Sequence, residues 1–110
     1  MSQVLFVYVT AGDADEAERI GEAVVDARLA ACANVLDGMR SIFRWQGSVQ
    51  KGREAILILK TREDLFDALK ERIVELHSYE LPCVVALPIA AGHEPFLDWI
   101  ADETGPTEMV

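Results

Sequence analysis

Cysteine, proline and histidine are all scarce in this chain of 110 residues, at two, four and two copies. Cys32 and Cys83 lie far apart, with no CxxC pair and no histidine close by. That excludes a disulfide scaffold and a sequence-local zinc finger, and both thiols are expected to be reduced. Long apolar runs are missing too. The segment Val4 to Val9 is too short for a signal core or a membrane span, and Met1-Ser2-Gln3 carries no basic residue, so a cytoplasmic protein with no membrane partner is expected. There is no glycine-rich phosphate loop: Thr10-Ala11-Gly12-Asp13 has one glycine and a carboxylate where a phosphate would sit, which reads as a capped strand-to-helix turn. Basic residues are outnumbered 10 to 19, giving a formal net charge of -9. Such a field repels phosphate backbones and anionic lipids and attracts cations, so nucleic acid is not an expected partner.

What is present is enough for one core. Hydrophobic residues make up 51% of the chain, and the length suits a single domain over 1–110 with an ordered core of about 3–104. Val4-Leu5-Phe6-Val7-Tyr8-Val9 is a continuous β-prone run, the profile of a strand buried on both faces. Asp13 then caps a helix, with Glu16 as its capping-box partner and Ile20, Val24, Ala27 and Ala31 as the inward stripe. From Ala33 to Trp45 the pattern turns extended, long for a strand, and Asp37-Gly38 marks a bulge or a bend. Gln46 to Gly52 reads as a hairpin loop before the apolar strand Glu54 to Lys60. Thr61, with Asp64, is the expected cap of a second helix carrying Leu65, Leu69, Ile73 and Leu76 inward. Cys83 to Leu87 is a fourth strand, Pro88 at its far end signals either that pairing stops or that the strand lies at an edge, and Pro95 opens a short last helix. The order β-α-β-β-α-β plus a terminal helix predicts an α+β, ferredoxin-like fold with strands one and three in the middle of the sheet.

Candidate chemistry gathers at the exit of the second helix, where His77, Tyr79 and Glu80 lie together. Two readings stand side by side. A histidine at a helix C-terminus suits the helix dipole, and an imidazole beside a carboxylate suits a divalent metal. Glu54 and Lys60 flank the third strand and can pair with Tyr79 or Glu80, or can simply face water. Cys32 and Cys83 both open strands that follow helices. They read as small buried thiols, or as groups that approach each other or a shared metal. His93 reads as a solvated loop residue. No nucleophile is paired with a base, so catalysis is not expected. Phe43 and Trp45, at the far end of the long hairpin arm, suit a contact between subunits.

Several segments taken together resemble the CutA divalent-cation tolerance family from about Gln3 to Ile100. They are Thr10-Ala11; Leu29-Ala30-Ala31-Cys32-Ala33-Asn34; Trp45-Gln46-Gly47; Glu54 with Lys60-Thr61; His77-Ser78-Tyr79-Glu80-Leu81-Pro82; and Leu87-Pro88-Ile89 with Trp99. The resemblance implies a homotrimer built like the PII signalling proteins, with long hairpins passing between neighbours, a link to copper and other divalent metals, and no catalytic activity. Where copper-binding members have a Cys before the Thr of the first strand, this chain has Val9; where they have a His pair, Leu76 precedes His77. The expected metal ligands are therefore His77 and Glu80, holding copper weakly. Cys32, Lys60, Tyr79 and Cys83 belong to the motifs without an assigned role. A regulatory module of the PII type, binding a small molecule in subunit clefts and acting on a partner protein, is the rival reading.

Overall fold

The computed structural model describes residues 3–106. Its elements run β1 (Val4–Ala11), α1 (Ala14–Asp26), β2 (Cys32–Trp45), β3 (Ser48–Arg62), a 3-10 turn (Glu63–Leu65), α2 (Phe66–Leu76), β4 (Val84–Pro88) and α3 (Glu94–Asp102). The four strands form one antiparallel sheet in the order β2-β3-β1-β4, with the two most apolar strands at its centre as the sequence leads one to expect. This is the ferredoxin-like α+β arrangement.

Alternation along the strands assigns the two faces. Leu5, Val7, Val9 and Ala11 of β1 and Ala55, Leu57, Leu59 and Thr61 of β3 point toward the helices and are buried. Ala17, Ile20 and Val24 of α1 and Leu69 and Ile73 of α2 close over them. Helix α1 can come very near because it presents a glycine there: a Cβ on Gly21 would stand 3.0 Å from Ala33 Cβ and 3.2 Å from Leu57 Cδ1. The opposite face carries Phe6, Tyr8, Ile56 and Ile58, all only half-buried, and the exposed Leu36, Val85 and Leu87. The double-sided burial expected of these strands is thus present on one side of the isolated subunit.

Three local expectations are corrected. The hairpin loop is not Gln46 to Gly52: the turn is Gln46-Gly47, with φ of 51° and 84°, and pairing resumes at Trp45 with Ser48. Two successive positive φ values match the right-handed twist of paired strands, so the arm stays paired to its tip. Thr61 does not cap α2. It sits fully buried in β3, and its hydroxyl donates to the Leu29 carbonyl at 2.7 Å, while Asp64 meets Arg62 and α2 begins after the 3-10 turn. Helix α1 ends at Asp26, which leaves Ala27 exposed and Ala31 outside the helix. The bulge lies between Leu36 and Met39, where Gly38 has φ 78°.

Candidate functional site

The end of β1, the start of α1 and the chain leaving α2 meet around one buried imidazole. Helix α2 ends because His77 turns extended, with φ -79° and ψ 143°, and its ring swings inward until its side chain has no exposure at all. Nδ1 accepts from the Tyr79 amide at 3.1 Å, and Nε2 lies 2.7 Å from the Thr10 carbonyl oxygen. An amide can only donate and a carbonyl can only accept. The ring is therefore the neutral tautomer that carries its proton on Nε2.

Glu16 is the second member. Its Oε1 accepts from the Gly12 amide at 2.9 Å and its Oε2 from the Ser78 amide at 2.8 Å, with His77 Nδ1 3.9 Å away. The residue that the sequence offers as a capping-box partner thus ties two distant turns together. Burial pushes its pKa up, but hydrogen bonds from the Gly12 amide and from the side chain and amide of Ser78 outweigh that, and the carboxyl lies below its ordinary value. Gly12 leaves the room: a Cβ there would stand 3.3 Å from Glu16 Oε1 and 3.7 Å from Tyr79 Cε1.

Tyr79 closes the cluster. Its hydroxyl donates to Glu54 Oε2 on β3 at 2.7 Å, and its ring tilts over His77 with centroids 4.6 Å apart. Burial, then the hydrogen bond to Glu54 and the charges of Glu54, Glu16 and Asp13, hold the phenol well above its usual range. Among the described residues no buried side-chain nitrogen or oxygen lacks a partner, which suits a rigid junction.

The other sequence candidates lie elsewhere. Glu80 is exposed. Lys60 donates to Asn34 Oδ1 at 2.7 Å across the β2–β3 pair, opposite Cys32. Cys32 and Cys83 are free thiols of intermediate exposure; Cys32 opens β2, whereas Cys83, expected as the first residue of the fourth strand, stands just before β4. Phe43 is exposed and Trp45 half-buried at the hairpin tip, beside Ile42 and Val49 at 71% and 58% exposure. Among the described residues no three His, Cys, Asp or Glu side chains are grouped so as to hold a metal ion, and no helix is long and apolar enough to cross a membrane. Glu16 was invisible as a site residue in the sequence, where only its capping spacing showed. A second feature is an open groove of about 820 Å³ between α1 and β2, floored by Gly21, Ala33 and Val35 and rimmed by Glu18, Glu22 and Asp26.

Comparison with known proteins places this arrangement. The model of the CutA1 divalent ion tolerance protein family matches residues 5–103. The "Divalent-cation tolerance protein CutA" of Thermus thermophilus is 46% identical over 99 residues, covering 90% of this chain and 96% of that protein. "Protein CutA 1, chloroplastic" of Oryza sativa is 40% identical over 100 residues, and these cover 91% of this chain and 56% of the rice protein. The crystal structure of CutA1 from Oryza sativa superposes with a TM-score of 0.92 at 38% identity, over 96% of this chain and 97% of that one. The chain belongs to the CutA1 divalent ion tolerance family.

Proposed function

We propose that this protein is a non-enzymatic homotrimer serving divalent-metal tolerance, with weak affinity for Cu(II), at work in the cytoplasm. The observation that carries the assembly is the bare sheet face. Phe6, Tyr8, Ile56, Ile58, Leu36, Val85 and Leu87 form an apolar surface opposite α1 and α2 that a lone subunit leaves in water. Patches of this kind mark contact surfaces, and three copies related by a closing rotation bury one face each without growing into a fibre. The β2–β3 arm, with Phe43 and Trp45 near its tip, reaches beyond the subunit's own core toward a neighbour.

The metal reading rests on the family and on a net charge of -9, which concentrates cations near the surface without fixing one. Affinity stays low because no three metal-binding side chains converge among the described residues of a subunit. The free cysteines suit a reducing compartment. Removing the protein from its cell should lower the copper concentration that halts growth, and restoring it should recover tolerance. Equal sensitivity with and without the protein contradicts the reading. The groove between α1 and β2 favours the rival, a PII-like module with a small molecule at the subunit boundary. A compound that raises the melting temperature and is lost on altering Ala33 or Val35 would select it.

A further inference from the structure

We infer that His77, the histidine of the expected metal pair, is a hydrogen-bonding hub that fastens the two helix-bearing halves together and does not ligate divalent metal. A metal needs a lone pair on an accessible ring nitrogen, and neither nitrogen of His77 has one to give. Nδ1 holds the Tyr79 amide, and Nε2 spends its proton on the Thr10 carbonyl. The two bonds are coupled. Freeing Nε2 for a metal moves the proton to Nδ1, where it would confront the Tyr79 N–H, donor against donor. Freeing Nδ1 leaves that amide without its partner beside a side chain that is fully buried. Glu16 keeps spare lone pairs beside its bonds to the Gly12 and Ser78 amides, but one carboxylate does not make up for a ring whose two nitrogens are both engaged. Glu80 is exposed while the ring is buried.

The residues therefore do not fit a metal at this position, and the disagreement gives His77 a different task. Through Thr10 it holds the end of β1; through Tyr79 it reaches Glu54 on β3; Glu16 ties the same turn to the start of α1. Any copper drawn to the acidic surface would have to be met by other groups. This inference concerns the route of the metal and is independent of whether the protein binds any.

Long-range proton–nitrogen NMR of the two histidine rings tests it, with Zn(II) as a diamagnetic probe added to the intact protein. His93, exposed at the start of α3, is the internal comparator. The expected result is a single Nε2-protonated tautomer for His77 whose nitrogen shifts stay put as zinc is raised, whether or not those of His93 move. Movement of the His77 nitrogens in protein that remains folded overturns the inference. Cu(II) calorimetry on wild type and His77→Gln reads the same question by loss: folded variant and wild type should give the same isotherm, including none at all, and a heat present only in wild type contradicts the hub. Absence of any copper heat from the wild type would count against the weak-copper reading alone.

Discussion

At the scale of single residues, Glu16 is the side chain on which the junction depends most. Its carboxylate satisfies the Gly12 and Ser78 amides, and a glutamine in its place must turn an NH2 group toward one of them. Glu16→Gln should destabilise the fold by about 1–3 kcal/mol at neutral pH, read by denaturant unfolding. The pH dependence has a definite sign. Because the folded pKa lies below the ordinary 4.5, the carboxylate's contribution is fully present above that value and is lost as the pH falls through the lower, folded one. The gap between wild type and Glu16→Gln should therefore narrow in acid below 4.5; a gap unchanged there would mean the charge is not what holds the amides. Thr61→Val makes a smaller test. It removes the buried bond to the Leu29 carbonyl and should cost about 1 kcal/mol.

Elements are held to one another by few such ties, and α3 shows this best. Arg28 takes φ 61° just past α1, and its guanidinium donates to the Gly105 carbonyl at 2.7 Å and the Asp102 carbonyl at 2.9 Å. Its own carbonyl accepts from the Gly105 amide at 2.8 Å, so one residue clasps the C-terminal end of α3 from two sides. Arg28→Ala should speed hydrogen exchange across α3 while leaving β1 and β3 protected; an α3 unchanged would assign its anchoring to the buried Ile100 alone. Periodicity made the strands, their order and the helices legible, because burial on one face writes itself into alternation and 3.6-residue spacing. What it hid were the long-range polar bonds. Thr61 looks like a cap because a Thr before a helix usually is one, and the Leu29 carbonyl that captures it lies 32 positions away. His77, Tyr79 and Glu80 stood out as a cluster, yet their spacing gave no sign that the ring turns inward and Glu80 outward. The tip of the arm was misread because Gly47 and Gly52 look alike in sequence, while only the first has positive φ.

At the scale of the whole molecule, a single chain leaves one face of its sheet uncovered. Its sheet is covered on one side, its extents are 53 × 27 × 22 Å because the arm projects, and Ile42, Phe43 and Val49 on that arm are exposed. A trimer would bury these surfaces, and truncating a hot-spot aromatic at such a contact costs about 2 kcal/mol or more, so Trp45→Ala should dissociate at lower denaturant than wild type. Whether the bare face and the arm join two further copies is read from the mass of the native particle by light scattering coupled to size exclusion. The expected mass is three times the 12.2 kDa of one subunit, independent of dilution over the accessible range. A particle of one subunit mass would contradict it.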